Sequence, residues 1–141
     1  MTSAQEALQN STLFTDDVVY TLIGLPPTAI WAGAGIMADL GEAFSVVIAD
    51  KDEVTLVLPL DAWQDYEKRL PDARQQGEFR LITFDIELDF DMIGFMALIA
   101  KILADVDVSI LPFAAFARDH VLVPAEKFQI AWDALESASG K

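Results

Sequence analysis

The sequence predicts an α+β fold made of two similar half-chains, each combining antiparallel strands with helices on one face. Three observations carry this. An apolar helical stripe follows Gly94, short β-branched and aromatic runs end in Gly, Pro or Asp turns, and the order strand, helix or loop, strand, strand, helix occurs twice at an offset of 65 residues.

Residues 1–12 are polar, lack turn chemistry, and predict a flexible N-terminal tail or a short loose helix. Val18 to Ile23 reads as a strand stopped by Gly24 and Pro26-Pro27. Thr28 to Gly41 is apolar but interrupted by three glycines, and both a short helix and a compact loop stay open there. Ala43 to Ala49 and Glu53 to Leu58 form a hairpin around Asp50-Lys51-Asp52. Asp61 is placed to cap a helix carrying Trp63, Tyr66 and Leu70, which Pro71 ends, and Asp72 to Glu78 reads as a polar linker.

In the second half, Phe79 to Phe90 alternates, with Phe84, Ile86, Leu88 and Phe90 on one side and Asp85, Glu87 and Asp89 on the other. Gly94 opens a helix whose Phe95, Leu98, Ile99, Ile102, Leu103 and Val106 share one face. Val108 to Phe113 and His120 to Val123 read as strands, and Pro124 starts a last helix around Phe128, Ala131, Trp132 and Leu135. At the 65-residue offset, Leu56-Val57-Leu58-Pro59 falls on Val121-Leu122-Val123-Pro124. The domain reading is a tail at 1–12, a subdomain at 13–78 and a second at 79–141.

Composition narrows function. Hydrophobic residues make up 53% of the chain, enough for a folded core. A net charge of −14, with nine Lys and Arg, disfavours nucleic acid and anionic membrane surfaces. No residue is cysteine, so there is no disulfide framework or thiolate chemistry. With no apolar signal segment and no run long enough to span a bilayer, the expected location is cytoplasmic.

Catalysis is poorly served. His120 is the only histidine, at a strand start beside Asp119, and reads as a surface or packing residue. Gly33-Ala34-Gly35-Ile36-Met37-Ala38 fits a dinucleotide pattern, but prolines separate it from the preceding strand and a hairpin follows it, so the required crossover is missing. Asp85, Glu87, Asp89 and Asp91 would lie about 6.6 Å apart on one strand face. That spacing suits paired carboxylates or a hard cation less well than a solvated face, because like charges repel without water. No metal, cofactor or catalytic residue is assigned, and the chain is expected not to be an enzyme.

The strongest binding candidate is the turn Asp91-Met92-Ile93-Gly94, where free N–H groups at a helix start can receive a carboxylate and Gly94 leaves room for close approach. An ordinary turn capped by Asp91 explains the same residues equally well.

Beyond this, the second half resembles an ACT domain, of the type found in cytosolic arginine sensors and short bacterial ACT proteins. The resemblance lies in Ile93-Gly94-Phe95 with Ala97 to Leu103, then Val108-Ser109-Ile110-Leu111, then Arg118 to Val123. Phe44 to Val47 and Asp52 to Val57 resemble the region preceding it in the bacterial proteins. The resemblance implies ferredoxin-like βαββαβ units, two in tandem here. It also implies a non-catalytic regulatory or sensory role, with a small ligand, usually an amino acid, bound where the strand-to-helix turn of one unit meets a strand of its neighbour, within the chain or in a homodimer. Carried onto this sequence, Asp91, Met92, Ile93 and Gly94 form the turn and Ser109, Ile110 and Leu111 the facing strand. The family has four strands per unit and three are legible in each half, so the fourth must be exchanged between halves or subunits. The alternative is a protein-interaction or dimerisation module without ligand, with Ile130 on its surface.

Overall fold

A computed structural model describes residues 3–140. In chain order the elements are α1 (Ala4–Asn10), β1 (Thr12–Phe14), β2 (Tyr20–Leu25), α2 (Ile30–Asp39), β3 (Val46–Ala49), β4 (Val54–Pro59), α3 (Leu60–Tyr66), β5 (Arg74–Asp85), α4 (Phe95–Ala104), β6 (Leu111–Ala114), β7 (Asp119–Pro124) and α5 (Phe128–Ala138). The chain divides into two compact units, Val18–Glu78 and a second made of Met1–Asp17 with Phe79–Lys141.

The 18–78 unit is βαββαβ. Its strands run β3-β4-β2, all antiparallel, and the Arg74–Glu78 part of β5 lies beside β2 as the fourth. Ile23 and Leu25 of β2 and Val54, Leu56 and Leu58 of β4 alternate onto one face, where they pack with Ile36 of α2 and Trp63 of α3. The segment expected as a polar linker is therefore a strand. Its side chains are exposed, so it carries no apolar signal, and Thr21 Oγ1 donates to the Gly77 carbonyl at 2.8 Å to help hold it. The open stretch 28–41 contains α2.

The other unit repeats the plan. Its strands run β6-β7-β5-β1, again antiparallel, with Leu81 opposite Leu122 and Leu13 opposite Phe84. Ile82, Phe84, Val121 and Val123 face Phe95, Ile99 and Leu103 of α4 and Ala131 and Leu135 of α5. The buried residues of α4 recur every fourth position, as its periodicity predicts. Its fourth strand is supplied by β1, from the start of the chain. Of the two readings left open for residues 1–12, a tail or a short helix, residues 4–10 are helical: Ser3 Oγ accepts from the Glu6 N–H at 3.1 Å as the cap of α1, which buries Ala7 and Leu8 in this core. A short apolar pair in a polar segment has too little pattern of its own to announce this.

The internal repeat is present in the element bounds. A shift of 65 residues carries Ile30–Asp39 onto Phe95–Ala104, Val46–Ala49 onto Leu111–Ala114, and Val54–Pro59 onto Asp119–Pro124. Among the described residues, no helix is long and apolar enough to cross a membrane.

Candidate functional site

The strand reading of 79–90 continues past the true end of β5. Backbone pairing stops at Asp85, and residues 86–94 form a loop in which Ile86 and Leu88 are half-buried and Phe90 is fully exposed. The acidic row is thus not a strand face: Asp85 closes the strand while Glu87, Asp89 and Asp91 lie in the loop. Among the described residues, no three His, Asp or Glu side chains come together as a metal site would need.

This loop is fastened at both ends. Leu88 N–H donates to the Ala117 carbonyl at 2.8 Å, and Met92 N–H donates to the Asp89 carbonyl at 3.0 Å. Ala117 belongs to the tight turn between β6 and β7, closed by Ala115 N–H to the Arg118 carbonyl at 3.0 Å. Loop and turn form the walls of a cavity of about 330 Å³, lined by residues that include Asp89, Met92, Gly94, Phe116, Arg118 and Asp119.

Gly94 lines this cavity at the start of α4. Its φ of 84° is left-handed, which favours glycine, and as N-cap of α4 it offers no side chain to the helix start. The first hydrogen-bonded N–H of the helix is that of Leu98, which donates to the Gly94 carbonyl at 3.0 Å. The N–H groups of Phe95, Met96 and Ala97 precede it without an intrahelical acceptor, at the positive end of the helix dipole.

Both signs of charge line the same cavity. Arg118 Nε lies 3.5 Å from Asp85 Oδ1, close enough for an ion pair but too long for a well-formed hydrogen bond, and that Nε makes no hydrogen bond. Burial pushes the Asp119 carboxyl above its ordinary range. Next to it, burial and then the Arg118 guanidinium hold the His120 imidazole below its ordinary value. Its Nδ1 lies 2.8 Å from Thr83 Oγ1, so the ring is engaged within the sheet.

Of the residues singled out from the sequence, Met92 and Gly94 reach the cavity lining, whereas Asp91 and Ile93 belong to the same turn without lining it. Ile93 is 87% exposed. Ser109 and Ile110 lie ahead of β6 rather than in it, because the chain is still reversing after α4 through Asp107, whose φ is 61°. Leu111 starts the strand, and none of these three lines the cavity. Arg118 and Asp119 were legible as charges at a strand start, but nothing in the sequence joined them to the Gly94 turn. The Gly33-Ala34-Gly35 pattern lies inside α2, where Gly33 is buried against Leu56 and Val54. It is a helix-packing feature, not a phosphate loop.

Two ferredoxin-like βαββαβ units define the architecture. Residues 76–137 match the model of the ACT domain. The whole chain is similar in fold to a Vibrio cholerae protein of unknown function, at 23% identity and a TM-score of 0.77 over 97% of this chain and 96% of that one. It is similar, too, to the regulatory subunit of aspartate kinase from Thermus flavus, at 16% identity and a TM-score of 0.64, covering 89% and 95%. A putative C-terminal regulatory domain of aspartate kinase from Porphyromonas gingivalis gives 19% identity and a TM-score of 0.64, covering 93% and 98%. No curated protein matches the sequence.

Proposed function

We propose that this protein is a non-catalytic regulatory module that binds a small zwitterion, most readily an amino acid, against the Gly94 turn, and that a second copy of the chain closes the site. The observation that carries this reading is the pairing of uncapped α4 N–H groups with Arg118, Asp89 and Asp119 around one cavity. The helix start and Arg118 suit a carboxylate, while Asp89 and Asp119 suit an ammonium.

The reading of a second wall rests on exposed apolar groups at the rim. Phe90 and Phe116 line the cavity yet are fully exposed, and Ile93, in the turn before Gly94, is exposed as well. Large apolar side chains clustered at a cavity mouth mark a surface that another protein covers. In that assembly Ser109, Ile110 and Leu111 would come from the second copy, beside Asp91, Met92, Ile93 and Gly94. The fold shared with aspartate kinase regulatory subunits supports a regulatory role, and the engagement of His120 with Thr83 supports a packing role for the one histidine. We place the protein in the cytoplasm on its cysteine-free, acidic composition.

A thermal-shift screen of the twenty amino acids tests this. At about 100 times Kd a ligand adds about 2.7 kcal/mol, which raises the melting midpoint by several degrees. Sedimentation with and without the hit reports the dimer. No shift with any amino acid, in a protein that still dimerises, would favour an interaction module without ligand, a reading for which Ile130, half-exposed on α5, also speaks.

A further inference from the structure

The geometry points to a second small-molecule site, on the helical side of the 18–78 unit, that takes a planar aromatic carboxylate. Between α2 and the end of α3 lies a groove of about 500 Å³, within the size range of small-ligand pockets. Trp31, Gly35, Asp39, Tyr66 and Arg69 line it, with Ile36 and Leu70 also contributing.

The internal repeat supplies the comparison. In the other unit α1 packs on α4, and its Ala7 and Leu8 join a core with Leu103, Ala131 and Leu135. At the 65-residue offset these three correspond to Ala38, Tyr66 and Leu70 of the groove. The same place is thus filled by a chain segment in one unit and open in the other. Its chemistry has also changed: Ala131 and Ala134 are answered by Tyr66 and Arg69, and Met96 by Trp31. The Ala7 and Leu8 face of a helix like α1 would bring no acceptor to Arg69, so a different occupant is called for.

The polar groups specify that occupant. Tyr66 Oη donates to Asp39 Oδ2 at 3.0 Å, and this bond raises the phenol's pKa, keeping it protonated. Asp39 is therefore already answered by a donor. Arg69 lies over the Tyr66 ring, 5.2 Å from its centre, and among the described residues it forms no ion pair. Asp39 and Arg69 carry opposite charges in the groove, and of the two Arg69 is the one with no hydrogen-bonding partner among the described residues. Trp31 is 85% exposed at the rim, a large ring with one face free to stack. Gly35 is open beside it, since a Cβ there meets nothing within 4 Å. A flat ring on Trp31 with a carboxylate on Arg69 uses each of these groups.

Ligand-observed fluorine NMR on the full chain tests this with 4-fluorobenzoate, its amide 4-fluorobenzamide and the cation 4-fluorobenzylamine. The benzoate is expected to bind roughly tenfold more tightly than either analogue, the discrimination of a charge-assisted hydrogen bond. Arg69→Gln should equalise benzoate and amide, and Trp31→Ala should weaken both. Gly35→Leu adds a side chain on the groove side at a position where the Cβ meets nothing within 4 Å, and should abolish binding while the fold, followed by circular dichroism, is kept. Gly94→Ala should leave benzoate binding unchanged, which separates this site from the one in the other unit. The proposal is overturned if benzoate does not bind, if the benzylamine binds more tightly, if Arg69→Gln leaves the preference for benzoate over the amide intact, or if Trp31→Ala leaves the affinity for both unchanged.

Discussion

Thr83 and His120 are register partners on β5 and β7, and their side chains meet with Oγ1 2.8 Å from Nδ1. Burial, reinforced by Arg118, holds this imidazole below its ordinary value. The folded protein then binds fewer protons than the unfolded chain from about pH 6.5 down to the lowered pKa, so stability is full above that window and falls on acidification through it. Asp119 has the opposite sign. Its raised carboxyl means that the folded state binds more protons above about pH 3.9, so acidification there relieves a penalty. Melting midpoints measured from neutral pH downward should drop first near the histidine window, and His120→Gln should remove that first drop. Thr83→Val, which deletes the hydroxyl while keeping a β-branched strand residue, should cost about 1 kcal/mol by chemical denaturation.

Gly33 and Gly35 differ in what lies above them. A Cβ on Gly33 would come within 3.2 Å of Leu56 Cδ2 and 3.3 Å of Val54 Cγ1, whereas one on Gly35 meets nothing. Both sit in α2, where alanine gains roughly 0.5–1 kcal/mol over glycine. Gly35→Ala should therefore stabilise the protein by about that amount. In Gly33→Ala the same helical gain is spent displacing β4 side chains, so its unfolding midpoint should lie below that of Gly35→Ala. Equal midpoints would show that α2 is not seated on β4 through Gly33.

The sequence revealed most where local pattern and tertiary role coincide. Phe95, Ile99 and Leu103 are buried at the spacing that predicts them, and Pro59 and Pro124 mark matching strand ends because each stops a ladder and starts a helical turn. It revealed least where a strand exists only because of its partner. Thr12–Phe14 is three residues long and acquires its meaning from Leu13 opposite Phe84, and the polar run at 74–78 is held by its neighbours rather than by apolar side chains. Ile86 and Leu88 misled in the other direction, since a loop tied down by Ala117 half-buries alternate residues as a strand does. The Gly94 turn was legible from one glycine before a periodic helix. Its charged wall was not, because Arg118 and Asp119 reach it only through the β6–β7 turn.

Gly94 sets the backbone strain of the site. At φ 84° an alanine would cost roughly 1–2 kcal/mol through its Cβ against the backbone, and no neighbouring atom adds to this because the space around it is open. Asparagine, which tolerates this region better, should cost less. Urea unfolding of Gly94→Ala and Gly94→Asn should show that order. An equal loss in both would mean that contacts other than backbone conformation govern the position.

The N-terminal segment completes the unit that holds residues 79–140, so its loss should be felt far along the chain. Leu8 is fully buried among Ile99, Leu103 and Leu135, Thr15 Oγ1 donates to the Leu81 carbonyl at 2.6 Å, and Arg80 Nη2 donates to the Asp16 carbonyl at 2.6 Å. Arg80 also stacks over Phe128, 4.2 Å from its ring centre, which ties this segment to α5. Leu8→Ala should therefore destabilise by about 3 kcal/mol, the cost of an aliphatic cavity in a packed core. Deleting residues 1–14 removes the fourth strand as well as α1, leaving the edge of β5 without a partner. In hydrogen exchange, Leu8→Ala should lower protection in β5 and α4 while leaving β2 and β4 nearly unchanged. If protection in α4 is unaffected by either change, α1 is an appendage and the unit folds on residues 79–141 alone.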